Sequence, residues 1–217
     1  MNPARRLLMA ALPVGGLVSG LAELGSSGLA PALHPDPARD AALRAMLPLV
    51  PALGWSVRAL REAAGPDADL MFPGGPVEMV EAHSDLADRE MAAAAVSLTE
   101  TRASRRVRAL ILLRLEQAER DRDAVRRGLS LLSLPGNRLV AARALARTSD
   151  TIWNAAGDVS TGFNRHSKRA LLAGVYAATL LFWLRGGDPQ ETASFLDRRL
   201  AGIAAIGRLR ARLSGAG

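Results

Sequence analysis

Residues 148–184 read TSDTIWNAAGDVSTGFNRHSKRALLAGVYAATLLFWL, and the prediction of the fold starts from them. The first part has a helical pattern and stops at Gly157, a residue type that readily takes the left-handed conformation closing a helix. Asp158, Ser160 and Thr161 follow, and their short side-chain oxygens suit the cap of a second helix. The stretch therefore predicts two helices that meet at a tight corner.

The second of these helices opens with polar residues and is then apolar from Ala170 to Leu184, interrupted only by Gly174 and Thr179. A helix that is apolar on every side must be covered by other helices or by an apolar ligand. Its apolar part is shorter than the roughly 20 residues that a membrane span needs. We therefore predict the core helix of a helical bundle.

The composition of the whole chain agrees with an all-α fold. It has 217 residues, of which 49% are apolar, and no sustained alternation of apolar and polar residues predicts a strand. The length suits a single domain with a hydrophobic core. Cysteine is absent, which excludes disulfides, thiolate metal sites and cysteine nucleophiles. Lys168 is the only lysine and follows no glycine-rich loop, which excludes a Walker-type nucleotide site.

The charge is unevenly distributed along the chain. The net charge is +7, which favours an acidic partner such as nucleic acid or an anionic membrane. Residues 55–90 hold three arginines against eight acidic residues, a local charge of −5, whereas residues 102–127 hold nine arginines against four, a local charge of +5. The positive surface is therefore expected on the middle and C-terminal helices.

Residues 1–35 differ in composition from the rest. Arg5 and Arg6 precede a weakly apolar run from Leu7 to Ala22, and a Gly/Ser/Pro-rich stretch follows. This outline fits a cleaved signal peptide. A start placed too far upstream or a disordered extension, and a short membrane-contacting helix, remain open alternatives. We place the folded domain at residues 36–217.

The first helices of that domain have the outline of a helix-turn-helix. Residues 38–47 and 57–64 are predicted helices, and Ser56 is a good cap for the second. A DNA-reading protein needs a recognition helix next, with Arg, Lys, Asn or Gln facing the base edges. Residues 67–76 read DADLMFPGGP instead, which is acidic and rich in glycine and proline. Direct DNA reading by this element is not expected.

Residues 75–100 are predicted to form a longer helix with acidic residues at Glu78, Glu81, Asp85, Asp88 and Glu90, and with His83 among them. Di-iron bundles supply Glu-x-x-His pairs, and no glutamate in this chain has a histidine three residues later. We therefore predict a solvated acidic face and no metal site. Further helices are predicted at residues 102–118, 121–133, 137–156 and 189–213. The last is basic, and either docking on its own bundle or contact with an anionic membrane fits it.

Several motifs of the chain resemble the accessory protein family of ubiquinone biosynthesis known as the ninth Coq protein. The resemblance covers about residues 42–205. The residues that carry it are Gly54-Trp55, Ala59-Leu60, Phe72-Pro73, Gly75, Arg106, Arg108, Arg114-Leu115-Glu116, Asp150, Trp153, Gly157-Asp158, Ser160-Thr161, Phe163-Asn164, Lys168-Arg169, Thr192, Phe195-Leu196 and Arg199.

The resemblance implies a TetR-regulator-like helical bundle with a degenerate helix-turn-helix, no catalytic residue, no metal and no cofactor. It implies a homodimer that binds polyisoprenoid quinones or other lipids in an apolar cavity. Such a protein assists the di-iron demethoxyubiquinone hydroxylase at a membrane surface, on the cytoplasmic or the mitochondrial matrix side, and binds no nucleic acid. The alternative function is a TetR-like transcription regulator with a small-molecule pocket.

Two groups of residues take roles from this resemblance, and for both a plain core position is the alternative. Asp150 and Trp153 would belong to the patch that meets the hydroxylase. The candidate lipid-binding residues are Leu110, Leu113, Leu129, Leu132, Ile152, Val175, Leu180 and Trp183.

The chain also departs from the family pattern. Gly162 stands where aspartate is common, and His166-Ser167 stand where the family has tyrosine-threonine. The family's longer members continue into a further amphipathic membrane helix. Without it, membrane contact would fall to the basic last helix or to the N-terminal apolar run.

Overall fold

The computed structural model describes residues 33–158 and 162–214, with side chains described for 33–158 and 168–202. Within these ranges the chain forms helices and no strand, which confirms the all-α prediction. The α-helices are α1 (Pro37–Met46), α2 (Val50–Leu53), α3 (Val57–Ala64), α4 (Gly75–Ala94), α5 (Ala103–Gln117), α6 (Arg122–Leu132), α7 (Arg138–Ala155), α8 (Gly162–Leu184) and α9 (Pro189–Ser214). Residues 1–32, which hold most of the predicted extension, lie outside the described residues.

The N-terminal helices begin and end at the residues expected from their chemistry. Ser56 caps α3 by accepting a hydrogen bond from the Ala59 amide at 3.1 Å. Gly65 ends α3 with a φ of 101°, a conformation that favours glycine. The stretch 67–76 forms only a 3₁₀ turn at Ala68–Met71 before α4 begins, so no recognition helix follows α3.

Two apolar clusters make up the interior. The first joins α1, α3 and the start of α4 through Leu43, Leu60 and Met79. The second joins α5, α7 and α8. Helix α4 contributes Met79 to the first cluster and Met91 to the second, so it runs through the centre of the described bundle. No helix within the described ranges is long and apolar enough to cross a membrane.

The corner between α7 and α8 has the predicted ending. Gly157 takes a φ of 81° and donates its amide to the Asn154 carbonyl at 3.0 Å. The Asp158 amide donates to the Trp153 carbonyl at 3.0 Å, which completes the pattern typical of a glycine-terminated helix. The predicted capping residues Ser160 and Thr161 lie outside the described residues.

The prediction of a solvated acidic face on α4 is wrong for two of its residues. Glu81 and Asp88 are buried, and each is paired with an arginine from another helix. The Arg147 guanidinium lies 2.6 Å from the Glu81 carboxylate, and that of Arg114 lies 2.9 Å from Asp88. Because α4 is central, both of its sides meet other helices. It also ends at Ala94 rather than at residue 100, and a 3₁₀ turn follows at Ala95–Ser97.

Candidate functional site

A cavity of about 390 Å³ lies between α4, α5, α6, α7 and α8. Small-molecule sites in proteins range from about 300 to 1,000 Å³ and are mostly apolar with a few polar groups, and this cavity fits that description. Its apolar wall consists of Trp55, Val80, Leu115, Ala118, Ala124, Val125, Gly128, Leu129, Leu132, Pro135, Ala141, Ala144, Leu145, Ala177, Leu180 and Leu181.

Small residues on the facing helices leave the space open. Ala124 and Gly128 on α6, Ala141 and Ala144 on α7, and Ala177 on α8 all line the cavity. The packing is close at Gly128, where an added Cβ would lie 3.1 Å from a Val80 methyl carbon and 3.3 Å from Trp55 Nε1. A larger side chain at the alanine positions would occupy the space that a ligand needs.

The cavity reaches the surface at the turn between α6 and α7. Ser133, Pro135 and Arg138 line it and are exposed. From Arg138 the wall continues along α7 to Thr148, which is almost fully buried. At 1.5 Å per helical residue this path is about 15 Å long. The cavity therefore has an open end at Arg138 and an inner end at Thr148.

The inner end is polar. Arg114, buried on α5, donates from Nε to Asp88 Oδ1 at 2.9 Å and from Nη2 to the Ser84 carbonyl at 3.2 Å. Thr148 donates from Oγ1 to Asp88 Oδ2 at 2.8 Å. Burial raises the pKa of Asp88, and the neighbouring Arg114 charge opposes that rise. The Arg114 charge thus has a carboxylate partner within the protein.

His83 and Tyr176 complete the inner end. Burial, together with the positive charge of Arg114, lowers the pKa of His83 to about 3, so its imidazole is neutral near pH 7. Burial raises the pKa of Tyr176, so its hydroxyl keeps its proton. Neither side chain hydrogen bonds to any residue that the structure describes. The His83 ring also lies against Trp55, with ring centroids 5.3 Å apart.

The structure separates the eight candidate lipid-binding residues into two groups. Leu129, Leu132 and Leu180 line the cavity. The other five belong to the packed cluster of α5, α7 and α8 or pack against it: Leu110, Leu113, Ile152, Val175 and Trp183. The sequence did not reveal Trp55, Arg114 and Tyr176 as lining residues, and His83 was interpreted only as a surface residue of an acidic helix.

Asp150 and Trp153 lie together at the corner between α7 and α8. The Asp150 carboxylate is paired with the Arg169 guanidinium, while Trp153 is half-buried and donates from Nε1 to the Lys168 carbonyl at 3.2 Å. The Lys168 ammonium lies 5.4 Å from the centroid of the Trp153 ring and 3.0 Å from Asp158. Charged pairs therefore hold the corner together, with part of the Trp153 side chain accessible.

Comparisons with known proteins agree with the family resemblance. The family model described as COQ9 matches residues 139–207, which begin in α7 and end in α9. The mitochondrial ubiquinone biosynthesis protein COQ9 of Homo sapiens is 31% identical over 181 residues, which cover 73% of this chain and 55% of that protein. The Rattus norvegicus protein of the same name is 41% identical over 76 residues, which cover 34% of this chain and 24% of that protein.

A more distant relative extends the similarity to yeast. The mitochondrial ubiquinone biosynthesis protein coq9 of Schizosaccharomyces pombe is 29% identical over 148 residues, covering 64% of this chain and 57% of that protein. The chain thus spans about half the length of the relatives that it matches over most of its own length. The family match and these relatives together show that the chain belongs to the COQ9 family.

Proposed function

We propose that this chain is a non-enzymatic accessory protein of ubiquinone biosynthesis that binds a polyisoprenoid quinone intermediate and presents it to the di-iron demethoxyubiquinone hydroxylase. The cavity between α4 and α8 is the observation that carries the proposal. Because a polyisoprenoid tail is uncharged and long, binding it requires apolar wall more than specific polar groups. A TetR-like arrangement of the helices and a homodimer belong to the same proposal.

The open end of the cavity is the proposed exit for the tail. A path of about 15 Å encloses only part of a long tail, so the remainder must leave the protein. Leu134 is 52% exposed and Leu139 is 49% exposed on either side of Arg138. Exposed leucines beside a cation suit contact with an anionic lipid surface, so we place this turn against the membrane.

We place the contact with the hydroxylase at Asp150 and Trp153. A half-buried tryptophan is a frequent anchor of protein interfaces. Asp150 is already paired with Arg169, so its contribution is to fix the corner rather than to offer a free charge. The alternative of a transcription regulator is less well supported, because residues 67–76 form a 3₁₀ turn where a recognition helix is needed.

Lipid analysis of the purified protein tests the proposal. We expect organic extracts to contain a polyprenylated aromatic or quinone lipid in a near-stoichiometric amount, identified by mass spectrometry. Ala177→Leu fills the cavity wall and should abolish this lipid. Ala178→Leu makes the same change one residue away, outside the cavity, and should retain it. Equal lipid content in the two variants, or no lipid in the unmodified protein, would contradict the proposal.

A separate binding experiment addresses the alternative function. A transcription regulator would bind duplex DNA with an affinity that falls steeply as the salt concentration rises. We expect no such binding in a fluorescence anisotropy titration. Tight, salt-dependent binding of a duplex would favour the regulator over the lipid carrier.

A further inference from the structure

The inner end of the cavity holds two hydrogen-bonding side chains that have no partner among the described residues. Tyr176 is only 5% exposed, yet within the described part of the chain its hydroxyl makes no hydrogen bond, and the His83 ring makes none either. Because both side chains line the cavity, a polar atom of a molecule bound in the cavity can complete their hydrogen bonds.

The electrostatics of the inner end favour an uncharged molecule. Arg114 is the charged lining group there, and its Nε and Nη2 donors already bind Asp88 and the Ser84 carbonyl. His83 is neutral near pH 7, and Tyr176 is protonated. A phosphate or carboxylate bound here would lose its hydration. Among the described residues it would find no free cationic partner to compensate, because Arg114 is already paired with Asp88.

The two partnerless groups also define which polar atoms fit. A tyrosine hydroxyl donates to an acceptor oxygen, and a neutral imidazole offers one donor and one acceptor. Together they satisfy the carbonyl oxygens of an oxidised ring as well as the hydroxyls of a reduced ring. Trp55, next to His83, adds a flat aromatic surface to the same end of the cavity.

We propose that Tyr176 and His83 bind the uncharged, oxygenated ring of the lipid, so that the ring enters first and the tail points toward Arg138 and the surface. This assignment rests on the proposed lipid-binding function and adds the ring chemistry and the direction of entry. A head group with a permanent charge is excluded from the inner end.

Three probes with the same alkyl chain test the assignment in the full-length protein: a dimethoxy-methyl-benzoquinone with a decyl tail, decylbenzene, and decyl phosphate. Calorimetric titration should show that Tyr176→Phe weakens binding of the quinone about five- to tenfold, the loss of one hydrogen bond, and leaves decylbenzene unchanged. Thr179→Val removes another buried hydroxyl of α8, one that bonds to the Val175 carbonyl outside the cavity, and should change neither affinity. Decyl phosphate should bind much more weakly than the quinone.

Infrared spectroscopy of the bound quinone gives a second readout, which does not depend on measuring affinity. In the unmodified protein the carbonyl stretch should lie at a lower frequency than in hexane, and in Tyr176→Phe it should move back. Three outcomes would each overturn the ring assignment while the lipid-binding function stands. They are an unshifted carbonyl stretch, an equal loss of affinity for the quinone and for decylbenzene in Tyr176→Phe, and decyl phosphate bound as tightly as the quinone. If none of the three probes binds, both proposals fall.

Discussion

The packed cluster of α5, α7 and α8 and the cavity beside it are both lined by apolar residues of helices. In the cluster the side chains fill the space, whereas in the cavity they leave it open. Ile152 and Leu110 are fully buried, whereas Leu129 and Leu180 keep accessible surface on the cavity wall. All four are apolar residues at helical spacing. Beside Leu129 and Leu180, alanine and glycine residues of α6, α7 and α8 also line the cavity. Helical spacing thus identifies a buried face, but it does not tell whether the surrounding side chains fill the space next to that face.

The first prediction contrasts one residue from each region. Ile152→Ala should lower the free energy of unfolding by about 2–5 kcal/mol, because it leaves a new hole in packed surroundings. Leu129→Ala should cost only about 1 kcal/mol, because its side chain already borders open space. Urea unfolding followed by circular dichroism measures both values. Losses of equal size would mean that the cavity is closed in solution.

This contrast also marks how far the sequence predicted the fold. Helix ends were predictable because their signals are local: Ser56 caps α3, Gly65 ends it and Gly157 ends α7. The burial of Glu81 and Asp88 was not predictable, because their arginine partners lie 66 and 26 residues away in sequence. Only the packing of helices brings such partners together.

The candidate site was predictable only in part, for the same reason. The family resemblance led to Leu129, Leu132 and Leu180, which line the wall, but it led equally to packed residues such as Ile152. Tyr176 stood within an apolar run and gave no separate signal. The alanines of the wall can be read from the sequence, but only the tertiary arrangement of the helices brings them to the same cavity.

The second prediction concerns the acid sensitivity of the cavity's inner end. His83 has a pKa of about 3 in the folded protein against 6.5 as its ordinary value. Between these values the unfolded chain binds the proton and the folded one does not. Protonation of His83 therefore does not affect the free energy of unfolding above pH 6.5. Below that pH it lowers the free energy of unfolding by about 1.4 kcal/mol per pH unit.

Urea unfolding between about pH 5 and pH 6.5 avoids the ordinary range of the carboxylates and measures this slope. His83→Gln keeps a polar side chain that cannot titrate, and the slope in this variant should be smaller by that amount. If the slope is the same in His83→Gln and in the unmodified protein, His83 has its ordinary pKa in the folded state.

The third prediction tests the corner as a surface distinct from the cavity. Trp153→Lys should weaken association with the hydroxylase at least about tenfold, as expected for the loss of an interface anchor. Because Trp153 is half-buried against the packed cluster, a modest fall in melting temperature should accompany it. Val96→Lys places the same charge at a residue that is 87% exposed, and association should be unaffected. Loss of association only in proportion to loss of folded protein would assign Trp153 to the core instead.

The smallest expected effect on stability belongs to the open end of the cavity. Leu134→Ser should change the free energy of unfolding by less than about 0.5 kcal/mol, because the side chain is already exposed. Partitioning onto phosphatidylglycerol vesicles should nevertheless fall several-fold, since the leucine would no longer enter the lipid surface. Leu70→Ser removes a leucine that is 77% exposed in the 3₁₀ turn after α3, away from the cavity. If both variants sediment with vesicles equally well, the turn between α6 and α7 does not face the membrane, and the tail must leave the cavity into some other surroundings.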